Sequence, residues 1–154
     1  PPPAGGGMSS YSLAQLLHLL AAIAFAGTVF FEVVMLGGAR RHAPHEAMHA
    51  VEGAIGRRAV AVMPWVLLVL YAAGLVLAWH HRGALAHPLS SGFALLLTIK
   101  IALALSVLGH FATAMRWRRS GRLRGRASRR LHLSVFAHVL AIVVLAKAMF
   151  LAGW

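Results

Sequence analysis

The sequence predicts an all-α membrane protein, a four-helix transmembrane bundle with both termini outside. Three observations carry that prediction. Of 154 residues, 60% are hydrophobic and only 12% charged, against about 45–50% and about 25% in a soluble domain. The apolar residues gather into four runs, each long enough for a hydrocarbon core that needs about 20 helical residues. The basic residues lie almost entirely between those runs, as they do in membrane proteins.

The runs are taken in order. Pro1 to Gly7 (PPPAGGG) has no periodic pattern and precedes Met8. Residues 1–10 read as a flexible lead or cloning scar and stand outside the fold. Residues 11–154 read as a single transmembrane domain, with helices at about 11–38, 59–79, 92–115 and 131–153. In lipid every backbone N–H and C=O must be satisfied internally, so runs of this length are helices. Tyr11, Trp65, Trp79, Trp117 and Trp154 sit at several of their ends, in the manner of an interfacial aromatic belt. No basic region precedes the first run, and that run is long enough to span, so a cleavable signal peptide is not expected.

Composition also excludes several chemistries. There are no cysteines, and the only acidic residues are Glu32, Glu46 and Glu52. Thiolate metal sites, cysteine nucleophiles, Ser-His-Asp triads and paired-aspartate mechanisms are thereby removed. The net charge of +12 comes from fifteen Lys and Arg. Residues 39–58 hold Arg40, Arg41, Arg57 and Arg58, and residues 116–130 hold eight arginines, whereas the loop between the second and third runs holds only Arg82. The positive-inside rule then places loops 39–58 and 116–130 in the cytoplasm of a bacterial-type inner (plasma) membrane. The arginine-rich loop reads as a topology anchor touching anionic lipid rather than a nucleic-acid surface, since no fold around it would present it to nucleic acid.

Ionisable side chains inside a bilayer are costly and mark function by default. The first helix carries His18 and Glu32, the third Lys100 and His110, and the fourth His138 and Lys147, with His132 at its edge. At a helical rise of about 1.5 Å per residue, His110 and His138 each lie roughly 10 Å from the inner edge, at matching depth on consecutive antiparallel helices. Glu32 joins that inner layer. His18, Lys100 and Lys147 form an outer one. Tyr11, His18, Phe25 and Glu32 recur every seven residues and share one stripe, expected to face the bundle.

Several buried imidazoles with no cysteine and few carboxylates suit haem, because a tetrapyrrole fills four positions on iron and asks the protein for one or two axial ligands. Facing helices of a four-helix bundle are a usual place for such a cofactor. His110 and His138 are the candidate axial pair. Arg116, Arg118 and His132 are candidate partners for propionates or an anionic substrate. Ala22, Gly27, Ala72, Gly74, Ala104 and Gly109 would leave room for a flat ring, or simply allow close helix packing. For a single membrane histidine the plainer alternative is an interhelical hydrogen bond. Copper is the rival metal, since Cu(I) takes thioether and imidazole ligands. Met35, Met63, Met115 and Met149, however, form no tight cluster and read as apolar filler.

His45-Glu46-Ala47-Met48-His49 is a formal H-E-x-x-H, which on a helix turns two histidines to one face with the glutamate as a potential general base. Glu52, His42 and His132 are the only third-ligand candidates that a catalytic zinc would need. The segment reads foremost as a solvated amphipathic stretch, with His45, His49 and Glu52 as a weak loop metal site. His80, His81 and His87 read as exposed interfacial residues.

Leu17-His18-Leu-Leu-Ala-Ala followed by Phe25-Ala-Gly27 resembles the opening helix of the CopD-like and HemJ-type membrane superfamily, with Phe25 where that family shows tryptophan. Arg57-Arg58 before Met63-Pro64 resembles the start of its second helix. Lys100, His110 and Arg116-Trp117 resemble helix three of HemJ-type protoporphyrinogen oxidases, and Lys147 their lysine late in helix four. The resemblance spans almost all of residues 11–154. It implies a four-helix membrane protein with one or two b-type haems, acting in electron transfer as a membrane oxidoreductase. His18 and Lys100 are implied as the catalytic and cofactor-binding pair. The implied partners are the lipid bilayer, a porphyrin substrate or quinone, and a second copy of the chain in a homo-oligomer. The CopD branch implies copper transport or resistance instead. Three features depart from the HemJ pattern: no arginine follows the first-helix glycine, where Glu32 lies instead, the Lys100-to-His110 spacing is one residue short, and His138 has no counterpart.

Overall fold

The computed structural model describes residues 9–122 and 125–151. Arg124 and Trp154 lie outside them, as does most of the lead. The described residues form helices joined by short turns and contain no strand. α1 runs from Ser10 to Phe30, passes into a π-helical turn over Phe31–Leu36 and closes with Gly37–Ala39. α2 spans His45–His80, α3 is the short Arg82–Ala86, α4 spans Gly92–Arg119 and α5 spans Gly125–Leu151.

Four of these stretches are long and apolar enough to cross a membrane: Ser10–Ala39, His45–His80, Gly92–Arg119 and Gly125–Leu151. Only 11–22% of each apolar window is buried within the protein. Trp65, Leu75, Trp79, Val144 and Phe150 each expose more than 60% of their surface. A water-soluble domain does not leave that much contiguous apolar surface uncovered. Lipid is the solvent that such a surface fits.

The boundaries correct the sequence reading in one place. Residues 39–58 are not all loop: α2 begins at His45, so most of the stretch before residue 59 is helix. Its 36 residues rise about 54 Å, well beyond a hydrocarbon core of about 30 Å. Polar composition before Ala59 hid the continuity, because hydropathy marks where a helix is apolar and not where it starts. α4 and α5 likewise run past the apolar core to Arg119 and back to Gly125.

The chain forms two compact units. One comprises the residues up to Gly27 together with His45–Arg82; the other comprises Thr28–Pro44 and Gly83 onward. In the first, α1 buries Ala14, Ala21 and Phe25, and α2 buries Met48, Leu67 and Ala73. Tyr11 lies 5.1 Å from the ring of His80 and 6.2 Å from that of His81, so the start of α1 meets the end of α2. In the second, α4 and α5 pair along their length, and the π-turn of Phe31–Leu36 lies against α5. Ala94, Leu97 and Val107 of α4 and Val135, Val139 and Met149 of α5 are buried there.

Local chemistry sets the ends of α4. The Ser91 hydroxyl accepts the Ala94 N–H at 3.1 Å, satisfying one of the orphan donors of a helix start. At the other end Arg122 N–H reaches Trp117 C=O at 2.8 Å and Gly121 N–H reaches Arg118 C=O at 3.2 Å. With Gly121 at φ +69°, this is the paired-bond termination that favours glycine. Gly125, at φ +55°, opens α5. Replacing Gly121 by Ala is expected to lower stability by about 1 kcal/mol, because a Cβ is disfavoured at positive φ. Unfolding in mixed detergent micelles measures it, with Gly109→Ala as the control, since Gly109 has open space around its Cα and no positive φ.

Candidate functional site

The most organised polar cluster joins α4 to α5. His110 Nδ1 lies 2.7 Å from the carbonyl of Ser106, and His138 Nδ1 lies 2.7 Å from the carbonyl of Ser134. A carbonyl only accepts, so each Nδ1 carries the proton and each Nε2 is left as an acceptor. Those acceptors are met across the helix pair: the Ser134 hydroxyl lies 2.9 Å from His110 Nε2, and the Ser106 hydroxyl lies 3.1 Å from His138 Nε2. The two rings are 5.0 Å apart, tilted by 55°. The result is a reciprocal clasp in which each helix contributes a serine and, four residues on, a histidine. All four side chains are half-buried.

The matched depth expected of His110 and His138 thus corresponds to direct juxtaposition. The serines were not singled out from the sequence, yet a signal was present. Ser-x-x-x-His occurs at 106/110, 128/132 and 134/138, and a four-residue step puts both members on one helix face.

The third copy of that spacing serves another contact. His132 Nε2 lies 3.1 Å from Glu32 Oε2, with the Ser128 hydroxyl 3.4 Å from Nδ1. Glu32 sits in the π-turn, where the wider helical repeat re-aims side chains, a feature common at functional positions. His132, read as a partner for propionate or substrate, is therefore engaged with the one carboxylate of its unit.

His18 belongs to the other unit. Its Nδ1 lies 2.9 Å from the carbonyl of Leu70 on α2, and its ring rests against Gly74. A Cβ at Gly74 would stand 3.2 Å from His18 Cε1 and 3.3 Å from Nδ1. Glycine here makes room for an imidazole rather than for a turn. The stripe Tyr11, His18, Phe25 is turned inward as expected, with Phe25 buried and the other two half-buried.

The remaining candidates stand apart from these clusters. Lys100 is half-buried on α4, in a different unit from His18. Lys147 is exposed, as are Arg116 and Arg118 in the last turn of α4. His45 and His49 are exposed in the first turns of α2, so the H-E-x-x-H stretch is indeed helical; their rings lie 6.4 Å apart and nearly parallel at 24°. Glu52, one turn further, is half-buried. Among the described residues no group of three or more His, Cys, Asp or Glu side chains is arranged to hold a metal ion.

The donor chemistry can be set against haem. A backbone carbonyl on Nδ1 is the outer contact that metal-bound imidazoles usually have, and it leaves Nε2 as the ligating atom. His18, His110 and His138 all have it, as do His42, His80 and His81 near the helix ends. His110 and His138 could hold one iron only if both Nε2 atoms were turned to it. As arranged, each of those Nε2 atoms holds a serine hydroxyl instead. His18 stands outside the clasp, with its ring seated on a glycine.

No family model, curated protein or solved structure matches the chain.

The clasp makes a quantitative prediction. Interhelical hydrogen bonds in membrane proteins average about 0.6 kcal/mol and reach about 1.7 kcal/mol. Ser134→Ala and His110→Ala should each destabilise the protein, and a double-mutant cycle should return a coupling of about 1 kcal/mol. The pair Ser134 and His138, joined through a backbone carbonyl rather than side chain to side chain, should show a smaller coupling in the same unfolding assay.

Proposed function

We propose that this chain is a multi-pass protein of a bacterial-type inner membrane that holds b-type haem and serves membrane redox chemistry, as its resemblance to HemJ-type proteins implies. The observation that carries the reading is the state of the membrane imidazoles. His18, His110 and His138 all have Nδ1 tied to a backbone carbonyl, which makes Nε2 the basic nitrogen of each ring; in the His110–His138 pair that nitrogen accepts from a serine hydroxyl. His18 is the proposed axial ligand, because its ring rests on Gly74 while its Nδ1 is fixed from the neighbouring helix. Lys100 is the proposed cationic partner for substrate or cofactor carboxylates, with Arg116 and Arg118 in the same role at the helix end. His110 and His138 remain a second ligand set only if their serine bonds are given up. When bound, haem supplies one-electron iron chemistry whose potential depends on the axial ligand and on burial. A quinone or porphyrin is the proposed electron partner, loops 39–58 and 116–130 are placed on the cytoplasmic side, and self-association is part of the proposal.

An optical spectrum tests this directly. Protein purified from cells supplied with haem precursor should show a Soret band, with a sharp α-band after dithionite. His18→Ala should remove it, while His110→Ala and His138→Ala should reduce stability and leave the band in place. Gly74→Ala should shift or weaken the band by displacing the His18 ring. A colourless preparation that carries copper would overturn the haem reading in favour of copper transport.

A further inference from the structure

The charge at the α4–α5 turn is unbalanced. Seven described arginines lie between Arg116 and Arg130, all of them exposed. Arg116, Arg118 and Arg119 occupy the last turn of α4. Arg126, Arg129 and Arg130 occupy the start of α5, and Arg122 lies in the turn itself. α4 ends just before Gly121, and α4 and α5 pair along their length, so both groups sit at one end of the helix pair. None of the seven has a carboxylate partner among the described residues. The one carboxylate of this unit, Glu32, is bound to His132 at 3.1 Å. So many guanidinium groups at one bend repel each other unless anions come from outside.

We infer that this turn is a docking surface for the headgroups of anionic phospholipids, with the arginine side chains gripping lipid phosphates. Lipid, rather than nucleic acid, is the occupant because the patch ends two membrane-length helices, whose flanks carry exposed Leu105, Leu108 and Leu133. Trp117, half-buried between Arg116 and Arg118, is the residue type that settles at the headgroup level. All the cations are arginine, whose planar fork binds phosphate oxygens two at a time, unlike the single point charge of lysine. Each basic residue near an anionic surface contributes about fivefold in lipid affinity, and salt weakens the effect.

The test uses the whole chain with Trp65, Trp79 and Trp154 changed to Phe, leaving Trp117 as the sole reporter. It is reconstituted in phosphatidylcholine vesicles containing a minor fraction of lipid brominated high on the acyl chain, either phosphatidylglycerol or phosphatidylcholine. The brominated phosphatidylglycerol should quench Trp117 at least about fivefold more effectively at low salt. That preference should shrink as salt is raised, a readout that needs no further variant. R116Q/R118Q/R119Q/R122Q should bring it close to one, while the matching lysine variant keeps part of it. Equal quenching by the two lipids overturns the proposal, as does a preference that survives the glutamine changes. Equal quenching combined with tight binding of a mixed-sequence RNA oligomer to the detergent-solubilised chain would assign the patch to nucleic acid instead.

Discussion

Everything in this structure answers to one constraint: hydrocarbon offers no hydrogen-bond partner. The backbone meets it by remaining helical across all four apolar stretches. The side chains meet it in pairs. A serine hydroxyl and an imidazole are each expensive in lipid when alone. On α4 and α5 the Ser-x-x-x-His spacing gives each histidine a local acceptor for Nδ1–H and offers each serine to the histidine opposite. Because the helices run antiparallel, two copies of one short pattern complete each other. Small, weak bonds then specify a register, which apolar packing between lipid-like surfaces specifies poorly.

The same constraint sorts the charges. The arginines gather where α4 ends and α5 begins, at the ends of two membrane-length helices. Glu32 lies within a membrane-length stretch and is held by His132, and the π-turn around it supplies the change of direction that this contact uses. Placement at a boundary and pairing at depth are thus two solutions to one desolvation cost.

Much of the architecture was legible from hydropathy alone, since length and apolarity decide which segments can span. The start of α2 at His45 was not, because its first turns are polar, and polar helix and polar loop look alike without a cap signal. The juxtaposition of His110 and His138 was legible from helical rise and antiparallel order. Their partners were not sought, since serine is neither charged nor a metal ligand, yet the repeated four-residue spacing pointed to them. The seating of His18 on Gly74 depends on which faces of α1 and α2 meet, and a glycine in an apolar run gives no sign of what it accommodates.

Histidine is held in two ways in this chain, and the source of its contacts separates them. In the clasp, four bonds support one another. Turning either ring towards a metal strips a hydroxyl of its acceptor and loosens the opposite helix, a cooperative cost that exceeds any single bond. His18 draws its Nδ1 partner from the backbone of α2 and its space from the missing side chain of Gly74. Its position is set from α2 and not by the α4–α5 clasp. That distinction makes His18 the proposed ligand and leaves His110 and His138 to hold α4 against α5.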